Sequence, residues 1–237
     1  MAIDEAVMWA RSQRLVPNTV RLYTWRPSAV SIGYFQSLEE EVDVEACRRR
    51  GVDVVRRITG GGAVFHAQGG ELTYSLVLEE RDPRLPESFT ESFRVLCRGI
   101  VLGLSRLGLE AVFQPVNDIT VNNRKVSGSA QTRKSGVVLQ HGTVLVKTDP
   151  ETMFMVLKVP REKTLSKAIT AAEERVTSLS KEKGRPVDLA EVRQALEEGF
   201  QEALKVEFQL SELTPAERRK AEELRKKYAS REWNFSR

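Results

Sequence analysis

The densest chemical signal is RRITGGGAVFH, residues 56–66: two arginines, three consecutive glycines, then apolar residues ending on His66. Glycine loses more backbone freedom on folding than any other residue, so three in a row between strand-like segments need a reason. A loop bare of side chains lets backbone N–H groups surround an anion, and arginine adds a planar, forked charge. The stretch reads either as a cradle for a phosphate or carboxylate, or as a hairpin turn with two solvated arginines. No Gly-Lys-Ser/Thr follows the glycines and GxGxxG is absent, so neither common nucleotide fingerprint applies.

A second signal lies in NDITVNNRKVSGSA, residues 117–130. Lys125 follows a turn and precedes Ser127, Gly128, Ser129 and Ala130, small residues that let a ligand or another backbone approach closely. Its ammonium can meet a carboxylate or phosphate while its stem packs; an exposed hairpin lysine is the plainer reading. Asp118 can orient Lys125, hold magnesium beside phosphates, or simply cap a turn. His141, in LQHGTVLV, and His66 read first as satisfied structural groups. No Ser-His-Asp or Cys-His pattern emerges from the order of residues. The implied chemistry is stabilisation of negative charge without an obvious nucleophile.

The elements that must position these residues follow from periodicity. Residues 2–14 form an amphipathic pattern with Ile3, Val7 and Ala10 on one side. Residues 20–25 and 29–34 are strand candidates split by Arg26-Pro27-Ser28, and 39–50 looks helical with Gly51 as its stop. Strands over 52–57, 63–66 and 72–78 bracket the glycine loop. A helix over 88–107 carries Phe89, Phe93, Leu96, Ile100 and Leu104 on a core-facing stripe, ended by Gly108. Strand candidates 111–113, 118–121, 125–133 and 137–146 follow, with Asn122-Asn123 and Lys134-Ser135-Gly136 as turns. Beyond Pro150 the pattern is mainly helical (151–157, 189–204 and 215–228), with 178–186 a polar connector. Hairpins in place of repeated βαβ units predict an α+β fold with a mixed, mostly antiparallel sheet flanked by helices. Residues 1–237 fit one large domain, or one domain plus a small appendage, with 187–237 a helical C-terminal part that forms either a small subdomain or helices packed on the sheet edge.

Composition narrows the class. Apolar residues make up 41% and charged residues 30%, a soluble globular balance. No apolar run reaches membrane-spanning length and the N-terminus lacks a signal-peptide core, which predicts a cytoplasmic protein with no membrane partner. A net charge of +4 with mixed signs, and no basic block, gives no case for nucleic acid. Two cysteines and two histidines leave little room for a zinc site or disulfide framework.

Taken together, RRITGGGAVFH, NDITVNNRKVSGSA, QHGTVLV (140–146), VSIGYFQ (30–36) and EWNF (232–235) resemble the lipoate–protein ligase family, within the wider biotin/lipoate ligase and octanoyltransferase group. The resemblance covers nearly the whole chain. It implies an α+β fold of the class II aminoacyl-tRNA synthetase and biotin synthetase type. It also implies a reaction in which ATP, with Mg, activates lipoate to lipoyl-AMP and the acyl group passes to a lysine of an acceptor domain. By resemblance, Lys125 binds the substrate carboxylate and the adenylate. Arg57, Thr59, Gly60, Gly61, Gly62, Ala63, Val64 and Phe65 contact the nucleotide, and Asp118 helps set up phosphate or metal. His66, Gly128, Ser129, Ala130, His141 and Gly142 border the lipoyl group.

The implied acceptors are glycine-cleavage H protein and acyltransferase subunits of 2-oxoacid dehydrogenases. Many ligases carry an accessory domain after EWNF, whereas this chain ends at Arg237, so by resemblance either a separate accessory ligase subunit supplies that part for activation or the chain performs only part of the reaction. The family's catalytic domain usually opens with a strand before MAIDEAV, and its absence from this sequence implies a start that is truncated or misassigned. GGELTYSL and SGSAQTRKSGVVLQHG resemble cysteine-dependent octanoyltransferases too. Those place a nucleophilic cysteine in the loop before the lysine hairpin, and residues 110–116 contain none. That difference, with Gly62 and Asn117-Asp118, favours the ligase over an octanoyl-acyl carrier protein-dependent transferase. A non-catalytic module holding lipoate, biotin or an adenylate is the third reading.

Overall fold

The computed structural model describes residues 1–158 and 165–237. Helix α1 (Ala2–Ser12) opens the chain with Val7 and Ala10 fully buried, as its stripe predicts. Strands β1 (Thr19–Tyr23) and β2 (Ala29–Ile32) follow. The predicted helix over 39–50 is two short helices, α2 (Leu38–Glu41) and α3 (Val44–Arg49). The break falls where Asp43 caps the second, its side chain accepting from the Ala46 N–H at 2.8 Å. An aspartate that satisfies an orphan helix donor starts a helix better than it continues one.

Strands β3 (Asp53–Arg56) and β4 (Val64–His66) bracket the glycine loop, and β5 (Glu71–Glu79) leaves it. Helix α4 (Phe89–Arg106) is capped by Ser88 and ends before Gly108 at φ 74. Four of its five predicted stripe residues are buried, but Phe89 is 49% exposed, lying at the first turn under the Arg133 guanidinium. Strands β6 (Ala111–Gln114), β7 (Asp118–Val121), β8 (Arg124–Lys134) and β9 (Val137–Leu145) complete the sheets. Asn122 and Asn123 both adopt positive φ in the β7–β8 turn, the geometry a two-residue hairpin demands.

The helices α5 (Pro150–Val156), α6 (Leu165–Arg175), α7 (Leu179–Lys183), α8 (Leu189–Leu204), α9 (Pro215–Ala229) and α10 (Arg231–Asn234) follow. Helix α7 corrects the polar connector expected over 178–186: Leu179 sits fully buried in the main core, and one anchoring residue suffices to order a short polar segment.

The strands form two sheets. The larger, in order β1-β5-β9-β8-β7-β6, is antiparallel throughout. The smaller, β3-β2-β4, pairs β2 with β3 in parallel and with β4 in antiparallel register. One face of the large sheet packs on α4 and α8, joined by Tyr74, Leu96, Ile100, Leu196 and Phe200 in one core. These helices cross at Gly99 and Gly199, where a methyl on Gly199 would sit 2.3 Å from the Gly99 carbonyl oxygen. The other face carries α1, packed on β5 and β9 through Val7, Met8 and Leu139, and His141, which reaches the loop after β3.

Arg56 ties the C-terminus to the small sheet. Its fully buried guanidinium donates to the carbonyls of Gly33, Tyr34, Gln36, Trp233 and Asn234, and Trp233 Nε1 donates back to the Arg56 carbonyl at 2.8 Å. VSIGYFQ and EWNF, far apart in sequence, meet on this one side chain.

Candidate active site

Arg57 organises the glycine loop from inside. Its five N–H donors go to the carbonyls of Ser31, Gly60 and Gly62 and to the Ser31 hydroxyl. Burial pulls its pKa down to about 10, so it keeps its charge at neutral pH. The Thr59 carbonyl is taken by the Tyr34 N–H at 2.9 Å. With these carbonyls bound inward, the N–H groups of residues 58–62 donate to no other group among the described residues. The loop is a set of free backbone donors, the arrangement that binds anions or a developing oxyanion. Arg57 serves this by holding the loop, and its donors are spent there rather than on a ligand. Gly33 allows the approach: a methyl there would lie 1.9 Å from the Gly61 carbonyl oxygen.

Lys125 stands at the other side of the site. Its Nζ lies 2.7 Å from Asp118 Oδ1, and its side chain is 41% exposed. A methyl on Gly128 would meet Lys125 Nζ at 2.9 Å, so the ammonium lies directly over that glycine. Strand register then measures the site. Gly128 pairs with Thr143 and Ala130 with His141 across β8 and β9, while Thr73 and Ser75 follow on β5. These residues share the face turned to the small sheet. From Gly128 to Ala130 is two strand residues, about 7 Å. At the Ala130 level, His141 Nε2 lies 2.7 Å from the Thr59 hydroxyl. Lys125 and the glycine loop therefore flank one short stretch of β8.

Ser129 and Gly142, expected beside the acyl group, are turned to the opposite face. The Ser129 hydroxyl lies 2.6 Å from the Tyr74 hydroxyl and 3.4 Å from Cys97 Sγ on α4, and a methyl on Gly142 would meet Tyr74. Successive strand residues alternate faces, so a run of small residues cannot all border one ligand. Gly128 and Ala130 remain on the site's side. Val64 shares the inward face of the small sheet with Ser31, whereas Phe65 packs in that sheet's own core. Half-buried Ala63 packs against the same core. Phe65 also borders an apolar cavity of about 70 Å³ with Leu145, Met153 and Val176. Val176 bridges to Lys125, placing this cavity next to the lysine.

Neither histidine is isolated. His66 Nε2 lies 2.8 Å from the Ser31 hydroxyl and its Nδ1 lies 2.6 Å from Glu71 Oε1, with Trp25 stacked on the ring at 4.1 Å. His141 Nδ1 lies 3.0 Å from Asp4 Oδ2. Two hydroxyl–imidazole–carboxylate chains thus exist where the order of residues shows none, correcting that expectation. Asp4, Ser31 and Glu71 come from α1, β2 and β5, and only strand pairing and helix packing bring them to their histidines. The His66 chain reaches the Arg57 guanidinium through Ser31 and the His141 chain ends on Thr59, so both end on the glycine loop.

Among the described residues no group of three or more His, Cys, Asp or Glu could hold a metal ion. Asp118 serves Lys125 instead, and the expected magnesium has no support. Both cysteines are buried, and burial pushes each thiol up to about 11.

A loop of free amides and a lysine over a glycine flank a strip of small residues between the two sheets, an arrangement suited to an anion or a developing oxyanion. The chain belongs to the lipoyl protein ligase A/B catalytic domain family, whose model matches residues 1–201. An octanoyltransferase LipM from Kyrpidia tusciae is 44% identical over 99% of this chain and 93% of its own, and one from Geobacillus kaustophilus is 38% identical over 100% and 93%. Among solved structures, a bi-partite lipoate protein ligase from Thermoplasma acidophilum, studied with its E2 lipoyl domain, superposes with TM-score 0.86 at 36% identity, covering 99% of this chain and 89% of that one. A lipoate-protein ligase A bound with ATP gives TM-score 0.82 at 34% identity, covering 99% and 92%. These confirm the expected fold. The curated relatives overturn the ATP-dependent lipoate ligase as the principal reading, because those matching the full length carry the name octanoyltransferase. No helix among the described residues is long and apolar enough to cross a membrane.

Proposed function

We propose that the chain is a protein N-octanoyltransferase, moving an octanoyl group from a thioester on an acyl carrier protein to a lysine of a lipoyl-acceptor domain. Full-length likeness to octanoyltransferases carries the reading, and the site's chemistry supports it. A thioester is already activated, so this reaction needs neither ATP nor a separate activating subunit. Candidate acceptors are glycine-cleavage H protein and acyltransferase subunits of 2-oxoacid dehydrogenases.

The acceptor amine attacks the thioester carbonyl carbon. The carbonyl oxygen gains negative charge, which the Lys125 ammonium and the amides of residues 58–62 are placed to receive. The tetrahedral species collapses with cleavage of the C–S bond, and the proton lost by the amine leaves on the carrier's thiol. Asp118, 2.7 Å from the Lys125 Nζ, holds that side chain in place. The octanoyl chain lies along Gly128 and Ala130, with Leu145, Met153 and Val176 offering further apolar surface. Transfer is direct: Cys97 lies with Ser129 on the helix-covered face of the large sheet and Cys47 in the core of the small sheet, so neither buried thiol faces the site, and burial raises both.

The test is the intact mass of an apo acceptor domain incubated with this protein and octanoyl-acyl carrier protein, without ATP. An octanoyl gain is expected. Lys125→Ala should lose it with the circular dichroism spectrum unchanged, and Cys97→Ala should keep it. No gain from the thioester, or a gain that appears only with ATP, overturns the reading.

A further inference from the structure

We infer that Asp4, on α1 and away from the reacting atoms, is a positioning residue for the glycine loop, acting through His141 and Thr59. The inference rests on the acyl-transfer reading for its effect on turnover, though not for its effect on the loop.

Proton direction couples Asp4 to the loop. Asp4 is 1% exposed and receives donors on both oxygens: Arg21 Nη1 at 2.5 Å on Oδ1, and Tyr23 Oη at 3.2 Å with His141 Nδ1 at 3.0 Å on Oδ2. An ionised carboxylate only accepts, so it fixes the His141 proton on Nδ1. The other nitrogen of a neutral imidazole is then an acceptor, and the Thr59 hydroxyl must donate to it across 2.7 Å. Thr59 is completely buried, and its carbonyl is held from the other side by the Tyr34 N–H. The residue just before Gly60 is therefore fixed at side chain and main chain by groups that take no part in the reaction. The three links come from three elements: α1, β9 and the loop after β3. Helix α1 also packs on β5 and β9, so Asp4 couples the large sheet to a loop built on the small one.

Asparagine at this position separates coupling from packing. Arg21 offers only donors, so the oxygen of Asn stays with Arg21 and its amide N–H groups face His141. The imidazole must then accept at Nδ1 and carry its proton on Nε2, reversing the link to Thr59. Thr59→Val removes the hydroxyl at nearly constant volume and cuts the same chain at its far end.

The experiment combines Asp4→Asn with Thr59→Val in a double-mutant cycle on the full chain, with two readouts. Deuterium uptake by the peptide covering residues 58–65 tests the coupling. Octanoyl transfer tests its consequence, with an expected fall in kcat of ~10-fold or more and KM for the donor within about twofold, as misplaced transition-state donors produce. Each single variant should raise loop uptake and lower kcat, and the double variant should match Thr59→Val alone, because residues acting through one chain are not additive. Thr59→Ser should restore both readouts to near wild type. Unchanged loop uptake in Asp4→Asn, or additive effects in the double variant, would overturn the inference. If the wild type transfers no octanoyl group while the loop responds as described, the transferase reading falls and the coupling stands.

Discussion

Arg57→Lys separates the two roles this side chain can have. If the guanidinium met a ligand's charge, lysine would preserve much of the function. The structure assigns it instead to three inward carbonyls and a hydroxyl, through five contacts made by a planar fork. Lysine has three donors at a single point and cannot span Ser31, Gly60 and Gly62 together. At least two charge-assisted contacts are lost, each contributing about 1.5 kcal/mol, or ~3 kcal/mol together. Each ~1.4 kcal/mol is a factor of ten, so the population of loops with amides free and carbonyls held falls by up to ~100-fold. A buried lysine is also more easily deprotonated than arginine, which adds to the loss. Octanoyl transfer to an apo acceptor, followed by intact mass at substrate concentrations well below KM, should show kcat/KM reduced on that scale. A fall of less than about threefold would refute the assignment, because charge without the fork would then suffice.

Further outcomes follow from the same geometry. Gly128→Ala places a methyl 2.8–2.9 Å from the end of the Lys125 side chain, which can swing away; transfer should fall at least ~10-fold while the melting temperature holds, read by parallel kinetics and calorimetry. Arg56→Ala strands a cluster of buried carbonyls and should cost about 4 kcal/mol or more of stability in urea unfolding. Acid should also act through His141. Burial lowers its pKa from the ordinary 6.5, outweighing the opposite pull of Asp4. The unfolded chain then binds a proton near pH 6.5 that the folded chain refuses, so stability is full above that pH and declines below it. Burial pushes the Asp4 carboxyl up, but the hydrogen bond with His141 and nearby positive charge outweigh it, so its pKa ends below 3.8 and a second loss begins beneath that value. His141→Gln should flatten the melting temperature between pH 6.5 and pH 5; an unchanged slope would remove His141 as the cause.

The sequence by itself determined which segments bend and which bury. The Asn122-Asn123 turn, the α4 stripe beyond Phe89 and the strands around the glycines follow from local rules of φ, period and volume that need no distant partner. The type of site was legible too, since three glycines beside arginines and a lysine beside small residues limit the chemistry to charge stabilisation. What tertiary structure alone decided is direction. Arg57 turns inward because strand β2 supplies the carbonyl and hydroxyl of Ser31. Ser129 faces a helix and Ala130, paired with His141, the opposite side because β8 is covered on both faces, and no property of the run SGSA says which face is which. The carboxylates that fix the two histidines lie 5 and 137 positions away in the chain, and only paired strands and a packed N-terminal helix make them neighbours. Hydrogen bonds are satisfied in space, not along the chain, so the partners that orient a site stay hidden until the fold brings them within 3 Å.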